Sequence, residues 1–184
     1  MYTEIKTNRL LLRPLEVQDL AAVHAYASDP ENTRFMLFLP NETEEETRQF
    51  LQRAADEWEK EAPHVYEFGV LLEAQLIGAV SVYLDETGSE GELGWILNKR
   101  YQKQGYAAEA ALAVKEFAEK ELGVVKLTAH CDARNHDSYR LMEKIGLHLE
   151  SDNGSRTYPK SGETAREITC SCLFTSDGSA VPLA

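Results

Sequence analysis

This sequence is poor in several features, and each shortage removes a class of function. It holds three cysteines, Cys131, Cys170 and Cys172. An odd number without framework spacing argues against a secreted fold stapled by disulfides. Cys170 and Cys172 stand two apart in "REITCSCLF", so on a strand they share a face, as small core residues do. No stretch approaches the ~20 apolar residues of a membrane-spanning helix. The opening "MYTEIKTNRLLLRPL" lacks the charged-then-apolar layout of a secretory leader, so the expected location is the cytoplasm. Basic residues are scarce, with 19 Lys and Arg against 31 Asp and Glu and a net charge of −12. That balance speaks against nonspecific nucleic-acid binding, which needs basic surface. It permits cationic ligands, and it equally fits acidity kept for solubility. The five histidines form no i, i+4 pair and have no Cys-x-x-Cys partner, so no metal site is expected. Repeats and low-complexity segments are also missing.

What is present reads as one globular domain. The chain has 184 residues, 43% hydrophobic and 27% charged, which are ordinary globular values. The domain is expected over 1–176, with a flexible tail over 177–184. "NRLLLRPL" is an opening strand. "EVQDLAAVHAYASD" and "NETEEETRQFLQRAADEWEKE" are helical, the second with capping-box spacing at Thr43 and Glu46. Its buried stripe is Thr47, Phe50, Leu51, Ala54 and Trp58. Three strands follow: "HVYEFGVLLE", "LIGAVSVYL" and "ELGWILN". A helix over 106–122 faces Ala108, Ala111, Leu112, Phe117 and Ala118 inward and Glu109 outward. "VVKLTAHCDA" is a further strand and "HDSYRLMEKIG" a short helix. Two last strands, "LHLESD" and "REITCSCLF", flank a turn-rich loop, "NGSRTYPKSGE". The order β α α β β β α β α β β is mixed α/β, an antiparallel meander followed by one crossover.

Two stretches carry the chemistry. "RYQKQGYAAEA" joins a strand to a helix N-terminus, where unpaired N–H groups and a partial positive charge collect. Gly105 lets the backbone approach a ligand, and Arg100 and Lys103 add full charges. These suit a phosphate or pyrophosphate, although a glycine in a tight turn also occurs without any ligand. Neither a Walker loop nor a Gly-x-Gly-x-x-Gly fingerprint is present. In "NHDSYRLMEKIGL", Asn135 could cap the short helix and Ser138 would then lie in its first turn. Both stretches follow strand C-termini flanking a crossover helix, where open α/β sheets bind ligands.

The element order and these two stretches resemble the GCN5-related N-acetyltransferase (GNAT) superfamily. Its phosphate-loop pattern, Gln/Arg-x-x-Gly-x-Gly/Ala, is matched by Gln102, Gly105 and Ala107. Its second signature, Asn-x-x-Ser followed by Glu-Lys-x-Gly-Phe, is matched by Asn135, Ser138, Glu143, Lys144 and Gly146, with Leu147 in place of Phe. "TNRLLLRPL" and "ELGWIL" resemble the branch typified by ribosomal-protein-alanine N-acetyltransferases, a branch that also holds enzymes acting on small amines. The resemblance spans about residues 5–174. It implies a mostly antiparallel sheet of about seven strands and about four helices. The sheet would splay at a bulge between the fourth strand, "ELGWILN", and the fifth, "VVKLTAHCDA".

By the same resemblance the loop amides of Gln104, Gly105, Tyr106, Ala107 and Ala108, with Gln102, Lys103 and Arg100, would bind the pyrophosphate of acetyl-CoA. Ile96 and Leu97 would hold the pantetheine and acetyl group through their backbones, with one N–H polarising the carbonyl, and Asn135 would bond the pantetheine arm. The reaction needs an amine to lose a proton, attack the carbonyl and expel a thiolate. Glu92 is the candidate base, or else a solvent-facing edge residue. Ser138 is the candidate for assisting the thiolate, with Tyr139 competing. Tyr158 could line the acceptor cleft, and Cys131 and Cys170 are not expected as nucleophiles. Glu42, Glu44, Glu45 and Glu46 could steer a cationic amine, or simply favour a helix start. The implied activity is N-acetylation of a primary amine, on a protein N-terminus or a small molecule, by a monomer or homodimer. A noncatalytic acyl-CoA binder and a nucleotide-binding module remain as alternatives.

Overall fold

The structure, a computed structural model, describes residues 3–174 and 180–181. Among the described residues nine strands form one sheet: β1 Ile5–Lys6, β2 Leu10–Pro14, β3 Val65–Leu72, β4 Gln75–Leu84, β5 Glu90–Leu97, β6 Lys126–Asp132, β7 His148–Thr157, β8 Thr164–Phe174 and β9 Ala180–Val181. Seven are long, as the sequence led one to expect, and the two extra strands have two residues each. Four helices among the described residues accompany them: α1 Leu20–Ala27, α2 Glu44–Trp58, α3 Tyr106–Lys120 and α4 His136–Lys144. The strand order is β1-β2-β3-β4-β5-β6-β8-β7, with β9 on β8. Every pairing is antiparallel except β5 with β6. The expected tail lies outside the described residues apart from Ala180 and Val181, which pair with Phe174 and Leu173. Among the described residues no helix is long and apolar enough to cross a membrane.

Side-chain alternation gives the sheet two differently covered faces. Phe68, Val70, Val80 and Val82 belong to the larger core, with Ala108, Ala110, Ala111, Val114 and Phe117 of α3. Small alanines on that face let the helix sit close to the strands. Trp58, Tyr66, Phe68 and Phe117 make edge-to-face contacts with ring centroids 5.0 to 5.6 Å apart, each worth about 1 kcal/mol beyond the area buried. The second face carries Leu15, Val23, Tyr26, Ala27, Leu51 and Ala79, with Ile96 and Leu76 against them. Here α1 and α2 cover the sheet. Cys170 and Cys172 share the larger core at 0% exposure.

Four local readings are corrected. Leu112, expected to face inward, is 45% exposed on α3, whose inward face is completed by Ala110 and Val114 instead. The strand after α4 does not stop at Asp152. It runs to Thr157, because register shifts at Ser151 and Gly154 let the polar stretch stay paired with β8. Of the capping box before α2, only the Thr43 half forms, with Glu46 N donating to Thr43 Oγ1 at 3.2 Å, while the Glu46 carboxylate accepts from Glu42 N instead. Glu109 does not face solvent: it accepts from the Thr7 hydroxyl at 2.6 Å and from Arg9 N and Nε at 2.7 Å.

The feature that positions the site is the junction of β5 and β6. Only three residue pairs join them, Glu90 with Lys126, Gly91 with Leu127 and Glu92 with Thr128. Beyond these the strands part, while β5 stays paired with β4 as far as Leu97. The expected bulge in β5 is not found: its register against β4 is continuous from Gly91 to Leu97. The splay arises because the parallel pairing ends, leaving a V that opens toward the start of α3.

Candidate active site

At the mouth of the V, the chain from β5 to α3 makes a tight cradle. Lys103 and Gly105 both have left-handed backbone, φ +61° and +85°, which costs about 1 kcal/mol at a lysine. Such turns point successive N–H groups into a concavity that suits an anion. Gly105 is the N-cap of α3 and offers no capping side chain, so the first-turn amides of Tyr106, Ala107 and Ala108 remain available. Gln102, Lys103 and Gln104 are exposed and Ala108 is buried. Gln102 Nε2 donates to the Leu97 carbonyl at 3.0 Å, closing the end of β5. Gln104 Nε2 donates to the Arg100 carbonyl at 3.2 Å.

Sequence reasoning missed Arg9, which holds this cradle from the side. Its guanidinium lies 4.4 Å from the Tyr106 ring centroid, donates to the Gln104 carbonyl at 3.1 Å and pairs with Glu109 at 2.7 Å. Burial raises the Glu109 carboxyl, but the bonds from Thr7 and Arg9 outweigh it and leave it lowered. Arg9 lies far along the chain from its partners, so no local pattern could reveal it.

Within the V, backbone direction decides which groups are offered. The Ser89 carbonyl accepts from Val125 N and the Gly91 carbonyl from Thr128 Oγ1, so odd-numbered residues of β5 turn their backbones toward β6. Even-numbered ones face β4: Asn98 N donates to the Ile77 carbonyl, and the Ile96 carbonyl stands 2.3 Å from where a Cβ on Gly78 would be. Alternation then turns the Leu93, Trp95 and Leu97 backbones into the V. Leu97 was expected there. Leu93 and Trp95 were not singled out, and Ile96 presents its side chain to the α1 face instead.

Across the V, Asn135 caps α4, its side-chain oxygen accepting from Ser138 N at 3.2 Å. Its amide nitrogen has no partner among the described residues. Ser138 is half-buried. Tyr139 packs against the larger core, and burial, then Glu143, raises its phenol. Tyr158 is buried and donates to Asp132 Oδ2 at 2.7 Å, which pins the turn between β7 and β8 rather than leaving the hydroxyl free in a cleft. Burial, with the Asp132 bond, pushes that phenol up to about 12. Arg134 holds the Asp132 carboxyl well below the usual range through two side-chain bonds. Burial pushes the Cys131 and Cys170 thiols up to about 11, as befits inert core thiols.

The second face of the sheet ends at the same V. Glu92 is exposed there, at the last β5–β6 pair. The segment between α1 and α2 meets the β7–β8 turn above it, where Lys160 Nζ donates to the Pro40 carbonyl at 2.5 Å and pairs with Glu46 at 3.7 Å. Glu42, Glu44 and Glu45 stay exposed beside it.

Comparison with known proteins gives this arrangement a family. The family model described as "Acetyltransferase (GNAT) domain" matches residues 9–148, well over half of the chain. An uncharacterised N-acetyltransferase of Bacillus subtilis (strain 168), YnaD, is 35% identical over 150 residues, 79% of this chain and 83% of that one. The crystal structure of a GNAT-family acetyltransferase from Bacillus anthracis superposes with a TM-score of 0.81 at 32% identity, covering 93% of this chain and 98% of that one. The fold is also shared, at a TM-score of 0.82 and 15% identity over 93% of this chain and 98% of the other, with RimL, a ribosomal L7/L12 alpha-N-protein acetyltransferase in complex with coenzyme A. The splayed sheet, the cradle before α3 and the Asn135 cap thus stand in a known lineage, and the chain belongs to the GNAT family of acetyltransferases.

Proposed function

We propose that the chain transfers the acetyl group of acetyl-CoA to a primary amine by direct attack within one ternary complex. The observation that carries this reading is the V between β5 and β6, open at the cradle of Lys103 to Ala108. The pyrophosphate would take the amides of Gln104, Gly105, Tyr106, Ala107 and Ala108, with Gln102 closing the strand end and Lys103 and Arg100 supplying charge. The pantetheine would lie along β5 and bond the Leu93, Trp95 and Leu97 backbones, with the Asn135 amide on the other wall. One N–H of that row would polarise the acetyl carbonyl. Ile96, on the neighbouring face, would form the floor under the acceptor.

The amine would arrive from the α1 and α2 side. Glu92 stands exposed where the V closes and would meet its positive charge, and the carboxylates of Glu42, Glu44 and Glu45 favour a cation on that side. Nitrogen attack forms the C–N bond, and the C–S bond breaks. Ser138, at the first turn of α4, would hydrogen-bond the departing thiolate, with Tyr139 as the neighbouring hydroxyl. Much of the rate gain would come from positioning, which can supply ~7–11 kcal/mol. The acceptor is a protein N-terminus or a small amine.

Free coenzyme A release, measured with acetyl-CoA against N-terminal peptides, polyamines, aromatic monoamines and aminoglycosides, tests the proposal. Turnover with at least one amine is expected. Tight acetyl-CoA binding without turnover on any amine would replace it with a noncatalytic binder.

A further inference from the structure

A buried acidic group lies on the acceptor face, behind the V. Glu67 on β3, Ser81 on β4 and Gly94 on β5 are cross-strand neighbours in one row. Glu67 is only 5% exposed. The Tyr83 hydroxyl donates to Glu67 Oε1, and Ser81, the cross-strand partner of Glu67, sets its hydroxyl close enough to the same carboxylate to help lower it. Tyr83 is in turn the cross-strand partner of Glu92, and its side of the sheet is open, with 41% of the residue exposed. Gly94 makes the room for this. A Cβ at Gly94 would stand 2.9 Å from Ser81 Oγ and 3.6 Å from Tyr83 Cε2. Two hydroxyls therefore lean over β5 beside the V, that of Tyr83 bonded to a buried carboxylate and that of Ser81 beside it.

We propose that Glu67, reached through the hydroxyls of Tyr83 and Ser81, is the store for the proton that the acceptor amine loses, while Glu92 at the rim draws the ammonium in. This rests on the acetyl-transfer reading above and adds the proton's destination. The ammonium N–H proton passes to the hydroxyl oxygen as that hydroxyl's own proton passes to Glu67 Oε1. The freed nitrogen lone pair attacks the thioester carbonyl. The C–N bond forms and the C–S bond breaks, and the nitrogen's second proton goes to the departing thiolate. One proton remains on Glu67 and leaves to solvent after product release.

The surroundings suit that task. Burial raises the Glu67 carboxyl to about 7, against the lowering pull of Tyr83 and Ser81, and a base works best with its pKa near the working pH. Burial, then the Glu67 charge, raises the Tyr83 phenol, so it passes a proton only in concert. The other groups facing Glu67 do not neutralise it. Tyr26 of α1 is a buried phenol raised by burial and by Glu67. Asp19, in the turn before α1, is acidic and binds Arg13 of β2 through both carboxylate oxygens at 2.7 and 2.8 Å. Glu92 of β5 adds a further negative charge to Tyr83.

The test compares Glu67→Gln with Glu92→Gln, using acetyl-CoA and the best acceptor from the amine panel. The first substitution keeps a side-chain oxygen for Tyr83 but cannot take up a proton. Glu67→Gln is expected to lower kcat by roughly 10²-fold or more and to abolish the rise of kcat with pH near 7. The amine KM and the coenzyme Kd should move less than about twofold. Glu92→Gln should raise the amine KM and keep that rise. Tyr83→Phe combined with Ser81→Ala gives a second route should Glu67→Gln misfold, and it is expected to lower kcat at least tenfold. A wild-type kcat and pH profile in Glu67→Gln, or in the double variant, overturns the proposal. So does loss of the pH-dependent rise in Glu92→Gln alone. Wild-type protein that turns over no amine overturns the underlying acetyl-transfer reading as well, so the two failures are distinct.

Discussion

Substituting Gly78 by alanine would strike the wall of the V from behind, from β4, the strand on the far side of β5. Gly78 pairs with Leu97 across β4 and β5. An added Cβ would stand 2.3 Å from the Ile96 carbonyl oxygen, 2.6 Å from Leu97 Cδ2 and 2.8 Å from Leu97 Cα. Two of these are backbone atoms inside a ladder, so no rotamer change relieves them. The strands must spread at that pair. Overpacking of this kind costs ~1–3 kcal/mol, and one or two weakened ladder bonds add about 1 kcal/mol each. Alanine recovers only ~0.4–1 kcal/mol through a less flexible unfolded chain. The net expectation is a loss of about 2–4 kcal/mol, or roughly 5–15 °C in Tm for a domain of this size. The displaced strand moves into the V, so coenzyme A affinity should fall at least tenfold even where the variant is fully folded. Urea denaturation gives the first number and titration calorimetry with coenzyme A the second. A Gly78→Ala protein within about 0.5 kcal/mol of wild type and with unchanged affinity would refute the assignment of this contact as the wall that sets the width of the V.

Other expectations follow from the same geometry. Arg9→Ala should weaken coenzyme A binding severalfold while changing stability by no more than about 1 kcal/mol, since the Arg9 side chain is partly exposed and Glu109 keeps its bonds from the Thr7 hydroxyl and the backbone N of residue 9; parallel calorimetry and denaturation would show both. Asn135→Asp keeps the capping oxygen and loses the amide donor, so stability should hold while the acetyl-CoA KM rises, whereas Asn135→Ala should lose about 1 kcal/mol as well. Asp132 has a lowered carboxyl in the folded state, so its stabilisation is full above the unfolded value of ~3.9 and is lost as pH falls below it. Asp132→Ala should therefore be less stable by about 1–3 kcal/mol at pH 7, with the gap narrowing below about pH 4 in pH-dependent melting curves.

The fold was legible because its signals are local. The alternation in "HVYEFGVLLE", the Thr43 cap and the stripe from Thr47 to Trp58 each lie within one element: Tyr66, Phe68 and Val70 are buried with Leu72 half-covered, Thr43 caps α2 from the surface, and the stripe is buried with Phe50 half-covered. The cradle was legible for the same reason, since Gly105 and the residues after it form one continuous turn. What escaped depends on distant pairing. Arg9 meets Glu109 only because β2 lies beside the start of α3. Glu67 reads as the polar half of an alternating strand, and its burial follows from α1 closing over that face. Which backbones enter the V depends on the parity of the β4–β5 register, and that parity is a tertiary fact.

The three-pair junction between β5 and β6 has a consequence for how the domain holds together. It is the seam between two antiparallel blocks, one from β1 to β5 and the other from β6 to β9. Besides those three pairs, the blocks are tied by α3, whose chain crosses from one to the other, by contacts between α3 and α4, and by Lys160 of the β7–β8 turn on Pro40 and Glu46. A pantetheine bonded to both walls would act as a splint across this seam. Donor binding and the rigidity of the sheet would then be a single linked equilibrium, with the stabilisation growing as the logarithm of coenzyme concentration above its Kd. The empty enzyme would breathe along the β5–β6 line. The loaded enzyme would present the acceptor with one continuous sheet.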